Sequence, residues 1–393
     1  MTHCREIASA LLLVILAGCS TTPREHPPEV VNVPSLDMIV AEPEPISPPA
    51  PQPAPVPVPA PVAPATPASH FNFNPNETWV SLDRWSQSNG FGLPRRLSAN
   101  PMPAYSFTSS HGTMAIRVGS QLAWWNGSEY YLGFAPQMID GHPFVHSLDL
   151  RKNFVPLLDN TIQLKTNRVI VIDPGHGGAD VGTTNVINGH FEKEYTLDLA
   201  RRLQPLLASN GWTVWLTRTT DVKLALSNRV AFAEQHKAGL FLSLHFNTGF
   251  PDRRQSGLET YCLTPAGMPS NLTRGYTDYP SLFFPNNNFD AENFQYAFRL
   301  HRALLNVNGH ADRGVRRARF LGVLQGQNRP AVLVEGGYLS NPAEAREIAD
   351  PAYRQKLAEA IAHALAEDSA TETSLAIRTN VAPPATNLDG KVN

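Results

Sequence analysis

Apolar and polar positions change their pattern several times along this chain of 393 residues. Ile7 to Leu16 is a mainly apolar run, too short to cross a bilayer. From Pro27 to Pro67 no apolar period is visible, only scattered Val and Ala among prolines. Between about Thr78 and Asp159, short alternating apolar segments are separated by turn dipeptides, a pattern that predicts β-strands and hairpins. Asn126-Gly127 lies between Gln121-Leu-Ala-Trp-Trp and Ser128-Glu-Tyr-Tyr-Leu, and both turn residues accept the positive φ of a type I′ turn. Asp140-Gly141 marks a second turn.

From Arg168 to about Glu367, continuous apolar runs alternate with helical spacing, which predicts an α/β architecture. Strands are expected at Arg168–Asp173, Thr213–Arg218, Leu240–Asn247, Gly257–Leu263 and Ala331–Glu335. A helix is expected from Tyr195 to a glycine stop at Gly211, with Pro205 bending it or loosening its last turn, and a second from Ser227 to Lys237. Asn341-Pro342 and Asp350-Pro351 each put a capping residue before a proline suited to the first helical position, which places two helices after Glu335. The fold class is thus α/β: a catalytic domain with a mixed, largely parallel sheet layered by helices, preceded by a small β-rich domain and a disordered Pro-rich tether. The domain boundaries that follow are 1–18, 19–68, 69–166, 167–367 and a tail at 368–393.

Composition sharpens this division. Fifteen of the 35 prolines lie between Pro27 and Pro67, and such a segment cannot bury a core. As a tether of about 50 residues it reaches at most on the order of 150 Å. The formal charge of -2, with no block of Lys or Arg beyond pairs such as Arg95-Arg96 and Arg316-Arg317, excludes a nucleic-acid footprint. Of the three cysteines, Cys4 and Cys19 fall in the leader, so Cys262 stands alone and no disulfide within the mature chain is expected.

The candidate chemistry lies where buried strands run into polar residues. Asp173-Pro-Gly-His176-Gly-Gly turns sharply after one strand, His245 ends Leu240-Phe-Leu-Ser-Leu-His-Phe-Asn247, and Glu335 ends Ala331-Val-Leu-Val-Glu. Open α/β sheets bind ligands outside the carboxyl ends of their strands, so these three side chains are expected at one sheet edge. Alternation puts Ser243, His245 and Asn247 on one face and Leu242, Leu244 and Phe246 on the other. Catalytic zinc takes three His or carboxylate ligands and leaves a position for water, and together with Glu192 these residues suggest a zinc hydrolase. Glu194, His190 and Glu259 are nearby alternatives in the sequence.

Three resemblances extend this reading. Leu16-Ala-Gly-Cys19 resembles the lipobox of bacterial lipoproteins, which implies lipidation of Cys19, a membrane partner, export, and an outer-membrane anchor facing the periplasm. Ala115-Ile-Arg-Val-Gly-Ser, the Asn126 hairpin and Met138-Ile-Asp-Gly-His-Pro-Phe-Val resemble the copper-amine-oxidase N-terminal-like module of bacterial cell-wall proteins. Its Trp124, Trp125, Tyr130 and Tyr131 either stack on sugar rings or fill a small core. Asp-Pro-Gly-His-Gly-Gly, Glu-Lys, Ser-Leu-His-Phe-Asn and Val-Glu-Gly-Gly-Tyr-Leu-Ser-Asn occur in the order of the zinc-dependent N-acetylmuramoyl-L-alanine amidases of the cell-division and spore-cortex type, over Arg168 to Leu365.

That last resemblance implies one Zn²⁺ per catalytic domain, held by His176, Glu192 and His245, with Glu335 as the catalytic carboxylate. The implied substrate is peptidoglycan, cut between the lactyl group of muramic acid and L-alanine, and a protein activator is compatible with the family. Competing expectations are a non-catalytic peptidoglycan-binding lipoprotein and a zinc carboxypeptidase acting on stem peptides. The segment from Thr264 to about Glu292 departs from a compact family member. Its prolines and consecutive asparagines predict an irregular loop where some division amidases carry a self-blocking helix.

Overall fold

Strand formation follows the apolar runs closely. In this computed structural model, which describes residues 71–366 apart from 73, 75, 99–101, 160–166 and 308, the central strands are β-branched and leucine-rich and buried along almost their full length. The leader, Cys19, the tether and the tail lie outside the described residues. In chain order the strands are β1 (Trp79–Ser81), β2 (Arg95–Arg96), β3 (Ala104–Ser109), β4 (Gly112–Arg117), β5 (Leu122–Trp125), β6 (Ser128–Tyr131), β7 (Gln137–Ile139), β8 (His142–His146), β9 (Val169–Pro174), β10 (Thr213–Leu216), β11 (Leu240–Asn247), β12 (Leu258–Cys262), β13 (Asp312–Arg317) and β14 (Ala331–Tyr338). The helices are α1 (Leu82–Ser88), α2 (Ser147–Asp149), α3 (Val155–Leu158), α4 (Glu192–Ser209), α5 (Leu226–Gln235), α6 (Asp290–Leu305), α7 (Gly322–Gln325), α8 (Pro342–Ala349) and α9 (Pro351–Ala366).

Among the described residues one 11-stranded sheet runs β10-β9-β11-β14-β12-β13-β6-β5-β4-β3-β2, beside a small sheet β1-β8-β7. The strands β10, β9, β11 and β14 are mutually parallel, and β12 runs antiparallel to β14. Period-two alternation divides the core. Ile170, Ile172, Leu242, Leu244, Val332 and Val334 join one apolar cluster with Leu199 and Leu203 of α4 and Leu357 and Ile361 of α9. Val171, Phe241 and Leu333 join another with Ala233 of α5 and Leu324 of α7. A sheet covered on both faces needs continuous rather than alternating apolar strands, as observed.

The helices end where their residues dictate. Glu194 accepts from the Phe191 backbone N–H at 3.3 Å at the start of α4. The chain leaves that helix through Asn210 and Gly211, the latter at φ +83. Pro205 does not break α4, which runs through to Ser209. Asn341 caps α8 through Ala343 N and Glu344 N, and Asp350 Oδ1 accepts from Ala352 N at 2.8 Å at the start of α9.

The β-rich part is built from the expected hairpins. Trp125 pairs with Ser128 around Asn126 (φ +50) and Gly127 (φ +84), and Ile139 pairs with His142 around Asp140 and Gly141. Its outer strand β6 pairs in parallel with β13 at Tyr130 and Val315, so the small part extends the catalytic sheet. Tyr130 is fully buried against Phe294 and Phe298 of α6, with ring centroids at 5.7 and 6.3 Å. Trp125 and Tyr130 therefore fill the core. Trp124 lies beneath Arg117 and Tyr131 beneath Arg316.

Candidate metal centre

The site forms at the carboxyl ends of β9, β11 and β14, where the apolar alternation gives way to polar side chains. After Pro174 the chain turns through His176 at φ +62, a region that non-glycine residues seldom occupy and that recurs at functional sites. Two buried arginines hold the turn. Arg218 donates to the carbonyls of Pro174 and Gly175 at 2.9 and 2.8 Å, and Arg229 donates to that of His176 at 2.8 Å. Asp173 neutralises Arg229 at 2.6 Å and accepts from Ser243 Oγ at 2.9 Å, which fixes β9 against β11 beneath the site. Burial pushes the Asp173 carboxyl up, but the Arg229 guanidinium outweighs it and leaves it lowered.

Glu192 enters from the first turn of α4 and sits between the two histidines. Its Oε1 is 2.9 Å from His245 Nδ1 and its Oε2 is 3.1 Å from His176 Nε2. Two backbone amides complete its shell, Phe246 N to Oε1 and Thr183 N to Oε2, each at 3.0 Å. The histidine rings meet edge to face at 5.0 Å. One ligand atom from each of His176, Glu192 and His245 lies within 4.8 Å of the others, and all three residues are buried. Burial pushes the Glu192 carboxyl up, yet the His176 and His245 rings hold it well below the usual carboxylate range. For His176 burial works downward, and the charge of Glu192 with the Asp180 hydrogen bond overcomes it to push the imidazole up to about 10.

Close packing explains two of the glycines. A Cβ on Gly175 would stand 2.2 Å from the His245 ring, and one on Gly182, at φ +67, would stand 2.6 Å from Glu192 Oε2 and 2.7 Å from His176 Cδ2. Only glycine fits either place.

Glu335 lies beside His245 in the sheet register and beside Glu259 on its other side. It is 6% exposed, and its Oε2 has no hydrogen-bond partner among the described residues. His176 Nε2 is unpaired in the same sense, since the approach of Glu192 lacks the alignment of a hydrogen bond. Burial, reinforced by the charge of Glu192, pushes the Glu335 carboxyl well above its ordinary value. A buried carboxyl and a buried imidazole facing two more ligand-type side chains can move a proton, and can accept a cation once the imidazole gives up its own.

A family model described as N-acetylmuramoyl-L-alanine amidase matches residues 170–367, the segment that contains all four of these side chains. The chain belongs to this amidase family. N-acetylmuramoyl-L-alanine amidase AmiA of Escherichia coli (strain K12) is 30% identical over 216 residues, covering 50% of this chain and 74% of that protein. The sporulation-specific N-acetylmuramoyl-L-alanine amidase of Bacillus subtilis (strain 168) is 32% identical over 198 residues, covering 50% of this chain and 66% of that protein. The solved catalytic domain of CwlV, from Bacillus (Paenibacillus) polymyxa var. colistinus, shares 30% identity over 50% of this chain and 95% of that chain, with a TM-score of 0.42.

Within this amidase the alternative candidates have other partners. Glu194 is exposed and accepts from His190 Nδ1 at 2.6 Å, away from the buried cluster. Glu259 is buried but bonded by Arg313 Nε at 2.8 Å, Tyr261 Oη at 2.8 Å and Asn247 Nδ2 at 2.6 Å. Burial raises its carboxyl, and the charges of Arg316 and Arg313 bring it below its ordinary value. Cys262 is buried and free, as expected for a single cysteine.

Three residues near the site carried no role in the sequence. Asp180 Oδ1 is 2.7 Å from His176 Nδ1 and orients the ring. The signal was present, a carboxylate four residues after His176 across two glycines. Arg229 and Arg218 brace the turn from α5 and from the end of β10, and nothing local marks them. The loop expected from Thr264 to about Glu292 is irregular only as far as Phe284: Pro285–Phe289 form a 3-10 helix, with Pro285 in its first turn, and α6 begins at Asp290.

Proposed function

We propose that this enzyme is a zinc-dependent amidase that hydrolyses the bond between the lactyl group of N-acetylmuramic acid and L-alanine in peptidoglycan. The observation that carries the reading is the buried convergence of His176, Glu192 and His245 beside Glu335, with His176 Nε2 and Glu335 Oε2 unpaired among the described residues. Two imidazoles and one carboxylate are the donor set of a catalytic zinc site with an open position, whereas Mg²⁺ and Ca²⁺ favour oxygen ligands throughout. The residues present fit the ion.

His176, Glu192 and His245 are the proposed ligands, with Asp180 fixing the His176 ring and the Phe246 and Thr183 amides fixing Glu192. Zinc bound there supplies Lewis acidity and makes water acidic near neutral pH. With a cation beside it to hold it ionised, Glu335 would take the proton of the attacking water on its carboxylate and return it to the departing nitrogen of L-alanine. The second transfer is necessary because an unprotonated amine is a poor leaving group.

The domain scheme proposed with this function is a lipoprotein leader at 1–18 with lipid on Cys19, a tether at 19–68, a copper-amine-oxidase N-terminal-like module at 69–166, the catalytic domain at 167–367 and a tail at 368–393. The protein would act in the periplasm from an outer-membrane anchor, in wall remodelling or daughter-cell separation, with a protein activator as a further partner. The test is mass spectrometry of products after the purified protein meets peptidoglycan with and without chelator. Free stem peptides beginning at L-alanine, lost on chelation and restored by zinc, are expected. Intact murein with bound protein would instead point to an activator requirement or a binding role, and shortened peptides still on sugar to a carboxypeptidase.

A further inference from the structure

The catalytic centre is bounded by more than strand ends. Arg274 belongs to the loop that follows β12, and its backbone lies at φ +46, uncommon for a residue other than glycine, asparagine or aspartate. Its side chain returns over the strand ends, where Nη2 donates to Asn247 Oδ1 at 3.2 Å, two residues beyond His245 on β11. The guanidinium also bonds Tyr261 of β12, and its charge interacts favourably with that of Glu335. It lies over the Phe320 ring, with Cζ 5.8 Å from the centroid. The residue as a whole is exposed while its guanidinium is packed against Asn247, Tyr261 and Phe320, which sets it at the edge of the site.

Phe320 is at the same time a wall of a cavity of about 230 Å³ beneath this loop. Tyr276 stacks on Phe320 at 5.8 Å and 18°, and both line the cavity. Arg319, 5% exposed and paired with Asp278, also lines it, and its Nε has no hydrogen-bond partner among the described residues. Arg274 thus stands between Glu335, with which its charge interacts, and Phe320, which walls a partly apolar cavity that also carries the buried Arg319. Neither the proposed ligands nor the proton transfer uses it.

The chemistry of a stem peptide fits that arrangement. Beyond the scissile amide comes L-alanine, and a γ-linked D-glutamate after it leaves a free α-carboxylate. We propose that Arg274 binds this carboxylate and that the cavity walled by Phe320 and Tyr276 receives the next residue, which makes the loop at 264–284 the stem-peptide subsite of the amidase reading on which this rests. Arginine presents a planar fork of donors that matches a carboxylate, and Asn247 and Tyr261 hold the fork in place before the ligand arrives. Arg274 acts as a specificity residue, reading the substrate one residue away from the reacting atoms.

Two muramoyl dipeptides that differ only at the atom read provide the test: muramoyl-L-alanyl-γ-D-glutamate and its α-carboxamide. The zinc-loaded full chain should cleave the carboxylate form with a kcat/KM about 10- to 100-fold higher, the range of one charge-assisted contact. Arg274→Gln should cleave both at the carboxamide rate, and Arg274→Lys, which keeps the charge without the fork, should recover part of the preference. Equal rates in the unaltered enzyme, or a preference that survives in Arg274→Gln, would overturn the assignment. A second readout needs no turnover. By calorimetry the product tripeptide should bind the zinc-loaded protein about tenfold more weakly in Arg274→Gln, while Phe320→Ala should weaken the tripeptide and not the dipeptide. Unchanged affinities in both variants would remove the subsite. If neither substrate is cleaved, product binding still decides the subsite, and the amidase reading is decided separately by the murein digestion.

Discussion

Two buried polar clusters lie in the same continuous sheet, and they are built differently. At the junction of the β-rich part and the catalytic part, Arg317 is 1% exposed and donates to Asn153 Oδ1, Leu263 O and Lys152 O at 3.0, 3.4 and 2.6 Å. Asp149, close by, accepts from Gly133 N, Phe134 N and Asn153 Nδ2 at 2.7 to 2.9 Å. Every strong donor and acceptor there has been matched to a neighbour, and Arg317 also lies 4.5 Å over the Phe294 ring. At the other cluster, His176 Nε2 and Glu335 Oε2 have no hydrogen-bond partner among the described residues. Burying a polar atom without a partner costs about 1–3 kcal/mol, and what sets these two apart is their place beside His176, Glu192 and His245, whose ligand atoms lie within 4.8 Å of one another. The junction cluster joins segments, and the other cluster gathers the proposed metal ligands.

This contrast can be broken from either side. The largest effect is expected at the cluster of proposed ligands. Glu335→Ala should retain zinc and lose about 10²–10⁴ in turnover, while His176→Ala should lose zinc and turnover together. Metal analysis beside a rate assay distinguishes them, and a Glu335 variant without zinc would make that residue a ligand. At the complete cluster Arg317→Ala should cost about 1–3 kcal/mol in denaturant unfolding, because it leaves Asn153 Oδ1 and the Leu263 and Lys152 carbonyls without their donor. If the variant unfolds at the same midpoint, the junction is not held together as described.

A smaller effect tests the cradle. With the contacts a Cβ at 182 would meet, Gly182→Ala should lower zinc affinity by about 10- to 100-fold, with the sheet intact by circular dichroism. A last test is a pH slope. Because His176 is raised from 6.5 to about 10, its contribution to stability is complete below about pH 6.5 and is lost as pH rises through about 10. Melting temperatures of chelator-treated protein should fall across that window, and the fall should be absent in His176→Ala. A metal-free protein with a flat profile there would show that the imidazole carries no such proton.

Much of this organisation was legible in the sequence because it depends on near neighbours. Continuous apolar runs specified β9, β11 and β14 as strands buried on both faces, and Asn126-Gly127 specified its hairpin through positive φ. The paired Asn-Pro and Asp-Pro signals located α8 and α9. For the candidate site, Asp-Pro-Gly-His-Gly-Gly and the strand ends at His245 and Glu335 pointed to one edge of a sheet, since side chains at the ends of adjacent parallel strands must converge. Choosing between Glu192 and Glu194 by geometry was different. Two residues apart on a helix, they face different directions, and only the packing of α4 against β11 shows that Glu192 points inward and Glu194 outward.

What the tertiary structure alone decided involves partners far apart in the chain. The union of the β-rich part with the catalytic sheet depends on β6 meeting β13, where Glu129 N donates to Asp312 Oδ2 at 2.9 Å across 183 residues. Arg317 with Asn153, Arg229 with the His176 carbonyl, and Arg274 with Asn247 are likewise long-range pairs. An arginine with no local period or capping role carries no sign of its partner. Secondary structure and the site's ligand types follow from local sterics and apolar periodicity, which a sequence displays directly. Which charges meet in the interior follows from how the whole chain closes its core, and that is settled only when every segment has been packed.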